Sequence, residues 1–287
     1  MTGYSAVWLR NKRRSAFVLH YRMYRSLRLA ASLSLLAALI GGCSTPPRDF
    51  TADLSSSMGK MTVAAHNSRP GGFSISLRVK GQPGEKWRVY FPNVTARQIL
   101  LANLNGKPHV ILLLAKGGVR IYGVEPGGLR EVWAGMERLN PWKIQAADVD
   151  ADGKVEIGIG VYKKARFHPV MAKRPFIYGW DGKQLYPEWL GSRLSRPFTD
   201  FVLADFGKAG TKLVAIEETK DGKYELAVYR WNGFGFTREW SGARSETLSE
   251  LTACGPVGKQ MIKVGAGHSS YTYIWSGKAL QNREGYP

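Results

Sequence analysis

Short apolar runs alternate with glycine-rich polar turns along most of this chain. Residues 61–66, 110–115, 155–161, 213–217 and 261–267 ("MTVAAH", "VILLLA", "VEIGIGV", "LVAIE", "MIKVGAG") have the length and β-branched, small-residue composition of strands. A recurring tripeptide precedes each of them. Ala147-Asp148-Val149 returns as Ala52-Asp53-Leu54, Ala102-Asn103-Leu104, Ala204-Asp205-Phe206 and, degraded, Ala253-Cys254-Gly255, in steps of 50, 45, 57 and 49 residues. Tryptophans keep the same step. Trp180, Trp231 and Val124 each stand nine residues before Trp189, Trp240 and Trp133, and Trp275 opens a last, incomplete pair. Trp87, 16 residues before Asn103, marks the first unit. Asp181-Gly182 and Asn232-Gly233 interrupt the tryptophan segments with the strongest short hairpin signal, because both turn positions need positive φ. After Cys43 no stretch holds a helical period over a dozen residues, which disfavours parallel βα architecture.

Two landmarks in step define five units, about 50–92, 97–135, 143–191, 199–242 and 249–287, each reading as four strands. Repeats of about 50 residues with four strands are the mark of a β-propeller, in which each blade buries its faces against its neighbours. The expected fold is therefore all-β: a five-bladed β-propeller of four-stranded antiparallel blades over residues 50–287. The tryptophans are expected between blades rather than at a stacking site.

The stretch "DVDADGKVE" places Asp148, Asp150, Asp152 and Glu156 at positions 1, 3, 5 and 9 of a tight loop, with Gly153 at the sharp turn and the Lys154 carbonyl at position 7. Oxygens at alternate positions wrap around one point, as a hard Ca²⁺ ion requires. An EF-hand would need Glu at position 12 and flanking helices, and Ile159 stands there among β-branched residues. The loop resembles the D-x-D-x-D-G-x-x-D/E loop of FG-GAP or VCBS repeat propellers, the integrin-α type, where it joins the first two strands of a blade. That resemblance implies a structural Ca²⁺ held by Asp148, Asp150, Asp152, Lys154 and Glu156. An unmetallated acidic turn is the alternative. The family's Phe-Gly and Gly-Ala-Pro signature is not readable here, and the other four loops lack the ligand set.

The first forty residues differ from the rest. A basic segment leads into an apolar run from Leu29 to Ile40, then Gly41, Gly42 and Cys43. This is a secretory signal, short for a membrane span. Ile40-Gly41-Gly42-Cys43 resembles a bacterial lipobox, which implies that residues 1–42 are removed and Cys43 is lipid-modified. Met23 would start a signal of more usual length, leaving residues 1–22 as an upstream extension. Residues 43–49 then form the anchor and a short tether; the six residues from Ser44 to Asp49 reach roughly 20 Å when extended. The expected location is the extracytoplasmic face of the cell membrane. The one other cysteine, Cys254, has no partner for an internal disulfide, and its inner-strand position suggests a buried, inert thiol.

Seven basic and no acidic residues precede Cys43, so the formal charge of +19 falls to +12 in the processed chain. That excess calls for an anionic neighbour, and for an exported protein lipid headgroups or wall polymers fit better than nucleic acid. Half of it lies in residues 163–196, where Lys163, Lys164, Arg166, Lys173, Arg174, Lys183, Arg193 and Arg196 face only Asp181 and Glu188. Blade three is the longest unit, and this basic hairpin is a candidate anion-binding face through Lys163, Lys164, Arg166, Lys173, Arg174, Arg193 and Arg196; a solvated loop is the alternative.

No reaction centre is legible. After Cys43 the histidines His66, His109, His168 and His268 fall at unrelated offsets, and no GxSxG elbow, His-x-x-x-His or Cys-x-x-Cys pair occurs. The sequence thus favours a membrane-anchored binding or scaffold module, with a protein partner left open. The competing reading is a propeller glycoside hydrolase or lyase acting on an extracellular or wall glycan. Asp53, Asp148 and Asp205, which share one landmark position, would then point into the channel.

Overall fold

The computed structural model describes residues 49–283 apart from 57–58, 69–71, 117, 192 and 243. The chain divides into two compact units, Met1–Ala38 and Leu39–Pro287, and every described residue belongs to the second. The signal segment and Cys43 lie outside the described residues.

Among the described residues twenty strands form five antiparallel sheets of four, each strand pairing with its sequence neighbours within the sheet. Blade one is β1 (Asp49–Ser56), β2 (Gly59–Ser68), β3 (Gly72–Val79) and β4 (Trp87–Pro92). Blade two is β5 (Ala96–Leu104), β6 (Lys107–Leu114), β7 (Val119–Glu125) and β8 (Gly128–Gly135). Blade three is β9 (Lys143–Ala147), β10 (Glu156–Ala165), β11 (His168–Trp180) and β12 (Leu185–Leu190). Blade four is β13 (Phe198–Asp205), β14 (Thr211–Glu218), β15 (Tyr224–Trp231) and β16 (Phe236–Ser241). Blade five is β17 (Ser249–Cys254), β18 (Met261–Ala266), β19 (Ser269–Trp275) and β20 (Leu280–Asn282). The inner strands β1, β5, β9, β13 and β17 lie beside one another in that order. The fold is a five-bladed β-propeller, and no α-helix occurs among the described residues.

Packing explains the repeat. In blades two to four the second strand is covered on both faces, so its central residues are apolar in an unbroken run rather than at alternate positions. On β6, Val110, Leu112 and Leu114 pack toward blade one, while Ile111 and Leu113 pack toward blade three. On β14, Leu213 and Ala215 pack toward blade three, and Val214 and Ile216 toward blade five. The four hydrophobic clusters are the four junctions between consecutive blades.

The tryptophans sit in these junctions. Trp180 and Trp133 join the blade-two/blade-three cluster, and Trp240 and Trp275 the blade-four/blade-five cluster. Trp133, Trp189 and Trp240 are each followed at the second position by glycine, and the structure gives the reason. The indoles of Trp133, Trp189 and Trp240 fold back over Gly135, Gly191 and Gly242, where a Cβ would stand 2.8, 2.3 and 2.8 Å from ring carbons. Trp87 departs from the expected register. It opens β4, opposite Leu77, whereas Trp133 and Trp189 lie near the ends of their outer strands. Only three residues link blade one to blade two, against seven for the next two junctions. The spacing to the following landmark is thus preserved by a different element. Cys254 also departs from expectation, being half-buried rather than buried, because β17 ends at that residue.

Gly191→Ala should overpack the Trp189 indole and lower stability by about 1–3 kcal/mol, read as a drop in the urea midpoint. Phe234→Ala, at a ring 80% exposed, should stay within about 0.5 kcal/mol of the parent.

Candidate functional site

The inner strands β5, β9, β13 and β17 begin around a cavity of about 430 Å³. Gln98, Lys143, Asp200 and Ser249 line it, each five residues before the landmark of its unit. Gln98 Oε1 accepts the Ile144 amide at 2.7 Å, tying β5 to β9. Asp200 Oδ1 accepts Lys143 Nζ at 2.6 Å and the Phe201 amide at 2.9 Å, while Oδ2 accepts the Leu251 amide at 3.0 Å. Lys143 Nζ also donates to the Leu251 carbonyl at 3.1 Å. One buried ion pair therefore joins blades three, four and five. Burial pulls the Lys143 pKa down, against the pull of Asp200 in the opposite direction. A bulge between Ser249 and Thr252, with Glu250 at φ 50°, shifts β17 so that the Leu251 amide meets Asp200. Lys173 reaches in from β11, donating to the Thr199 carbonyl with its ammonium 4.5 Å from the Trp142 ring centroid. Arg97 and Glu250 complete the rim, both exposed.

Asp148 and Asp205 stand at the opposite ends of their strands and bind their own loops. Asp148 Oδ2 accepts the Gly153 amide at 3.0 Å, and Asp205 Oδ1 the Gly207 amide at 2.8 Å. The side chain of Asp53 lies outside the described residues.

The acidic loop connects β9 to β10. Ala151 and Gly153 take φ of 64° and 86° to turn it. Carboxylate oxygens of Asp148, Asp150 and Glu156 come within 4.8 Å of one another. Glu156 is 3% exposed and accepts the Val149 amide at 2.7 Å. Burial first, then the charges of Glu188, Asp150 and Asp148, push its pKa up to about 8. Asp148 Oδ1 is buried without a hydrogen-bond donor. An orphaned carboxylate oxygen beside two further carboxylates suits a hard cation. Asp152 does not join them: its carboxylate turns outward to Lys154, accepting the backbone amide at 2.7 Å and Nζ at 2.8 Å. Glu188 on β12, which sequence spacing could not associate with the loop, faces Asp150, and burial together with that charge raises its pKa.

The basic residues of blade three scatter in role. Arg174 is fully buried and donates to the carbonyls of Lys163, His168 and Val170 at 2.7, 2.9 and 2.6 Å. Arg196 lies 2.9 Å from Glu225, and the Lys163 ammonium sits 5.8 Å from the Phe176 centroid. Lys164, Arg166 and Arg193 are exposed. Sequence reasoning grouped all seven by charge; the geometry leaves Lys164, Arg166 and Arg193 open to solvent and uses Arg174 as a brace.

No family model matches the chain, and no curated protein matches it. Among solved structures it is similar to a Bacteroides fragilis protein assigned provisionally as a 6-phosphogluconolactonase. The match has 10% identity and a TM-score of 0.47 over 84% of this chain and 82% of that one.

Asp200→Ala should cost about 3–5 kcal/mol by stranding a buried ammonium. Lys143→Met should cost less, because Asp200 keeps its two backbone amides. With its folded pKa below the unfolded value, Lys143 binds fewer protons in the folded chain than in the unfolded one. The Asp200→Ala protein should therefore regain stability as pH rises from 7 toward 10. Urea unfolding across that range checks both the ranking and the sign.

Proposed function

We propose that this chain is a lipid-anchored propeller on the outer face of the cytoplasmic membrane that binds a partner and does not transform a substrate. One observation carries the non-catalytic part: the charged pair at the centre and the glutamine beside it are engaged in holding strands, although Thr199 Oγ1 has no hydrogen-bond partner. Gln98, Lys143 and Asp200 hold neighbouring inner strands together. A general base or an activated nucleophile needs a group free to meet a reacting atom. Among the described residues the cavity lining contains Ser249 and Thr199 but no histidine or cysteine, and its carboxylates are Asp200 and Glu250. Three converging carboxylates would have favoured the glycan-cleaving alternative.

The anchor rests on Ile40-Gly41-Gly42-Cys43. Kinship with FG-GAP and VCBS propellers rests on the acidic loop between the first two strands of blade three. In this reading Asp148, Asp150 and Glu156 hold a Ca²⁺ ion, with the Lys154 carbonyl available as a further oxygen. The ion would neutralise crowded carboxylates and staple β9 to β10, a structural task that needs no open coordination position.

Cys43→Ala should release the protein from the membrane-anchored lipoprotein fraction; an equally detergent-dependent, lipid-labelled product would refute the anchor. Calcium should raise the melting temperature of the parent, because it binds the folded loop and not the unfolded chain. At 100 times its dissociation constant it would contribute about 2.7 kcal/mol. Asp150→Ala should abolish the rise. A melting curve unmoved by calcium would leave an acidic turn.

A further inference from the structure

The β10–β11 hairpin outgrows its sheet. β9 pairs with residues 156–160 and β12 with residues 176–180, so the ladder of residues 161–175 runs only between β10 and β11. A two-stranded ribbon is marginal in water unless something braces it. Arg174 is that brace. Its guanidinium gathers one carbonyl of β10 and two of β11 on either side of the turn, and among the described residues no carboxylate pairs with it.

The braced tip has an unusual surface. Arg166 and Phe167 form its two-residue turn, and the guanidinium carbon lies 5.5 Å from the ring centroid. Phe167 is 83% exposed, Val170 55%, Tyr162 45% and Met171 42%. Lys164 and Arg166 stand exposed among them, and no acidic residue occurs from Ile157 to Trp180. A hairpin meant only to be soluble gains nothing from four large apolar groups in water. A polyanion would use the charges and leave the apolar groups wet. The boundary between lipid headgroups and acyl chains takes both.

Its position agrees. Gly160 of β10 stands opposite Lys143, the first residue of β9, so the ribbon passes beyond the end where inner strands begin. β1 begins at that same end. Trp87, opening β4, donates to the carbonyl of Glu125, which closes β7. β4 therefore runs in the sense of β8, and β1 in the sense of β5. The chain enters the propeller at Asp49, six residues after Cys43, a tether of roughly 20 Å. The ribbon extends roughly 15 Å past the sheet, so tether and tip can reach one bilayer together.

We propose that the tip inserts into an anionic membrane leaflet, Phe167, Val170 and Met171 entering the interface while Lys164 and Arg166 meet lipid phosphates. The inserted tip fixes the propeller with its channel mouth toward the bilayer. This rests on the lipid-anchored reading above and adds an orientation to it.

The test uses the full-length protein reconstituted into vesicles of phosphatidylcholine with or without phosphatidylglycerol. The indole added by Phe167→Trp should be quenched by lipids brominated along their acyl chains when phosphatidylglycerol is present, relative to the parent's own tryptophans. Lys164→Gln with Arg166→Gln should lower the inserted-to-free ratio about 25-fold, since each basic residue near an anionic leaflet is worth about a factor of five. Met171→Ser with Val170→Ser should reduce quenching with all charges kept. Trypsin cleavage at Lys164 and Arg166 should be suppressed by the anionic vesicles. Melting temperatures equal to the parent's confirm that these surface changes leave the fold intact. A vesicle-bound protein whose added indole is unquenched overturns insertion and leaves the anchor standing. A protein that does not associate with vesicles at all overturns both. Protection from trypsin by a soluble wall polyanion, equal in the parent and the Met171→Ser/Val170→Ser variant and without quenching, would make the ribbon a polyanion site and overturn insertion.

Discussion

Burial of both faces of the second strand in a blade is the constraint on which the rest of this structure depends. A four-stranded meander of some forty residues has no core of its own. It becomes stable when a neighbour covers each face, and β6 and β14 carry alternate apolar residues to opposite neighbours. The small residues follow from the same demand. Gly160 on β10 leaves room for the Trp142 indole, whose ring atoms would lie 2.8 Å from a Cβ there. The Trp-x-Gly ends of the outer strands let an indole fold back onto the backbone.

The central polar residues complete this packing and are not separate from it. Inner strands converge where few side chains can reach them, and their first residues lack ladder partners on one side. Gln98 and Asp200 satisfy amides of the next inner strand, and Lys143 neutralises the carboxylate so engaged. A buried pair of this kind adds little stability relative to apolar groups of the same shape, but it penalises any other register. The same locks occupy the place where a propeller could otherwise expose reactive groups.

Two features depart from the packing rule. The acidic loop gathers carboxylates that repel one another, so Glu156 prefers its proton up to about pH 8 without a cation. The basic ribbon leaves the sheet and keeps its form through Arg174, a charge held by carbonyl dipoles. Stability explains neither arrangement. The proposed ion at the loop end of the inner strands would account for the first, and the proposed interface at the end where the chain enters for the second.

The sequence by itself determined the class of fold and the number of four-stranded sheets. Short apolar strands and the tripeptide before them recur in all five units, and the Asp-Gly or Asn-Gly turns and paired tryptophans in some of them; these are local or nearest-neighbour signals, and repetition suppresses chance. It also marked Asp148, Asp150 and Glu156, because a loop closes within nine residues. Tertiary structure decided what depends on residues far apart in the chain. Lys143, Asp200 and Leu251 meet across more than a hundred residues. Glu188 approaches the acidic loop from another strand, and Asp152 turns away from it because the lysine two residues on offers a nearer partner. Trp87 showed the limit of spacing, since a short inter-blade link can imitate the register of a longer strand. Charge counting could group the basic residues of blade three, but burial decides their roles: Arg174 is enclosed by carbonyls while Lys164 and Arg166 remain in water.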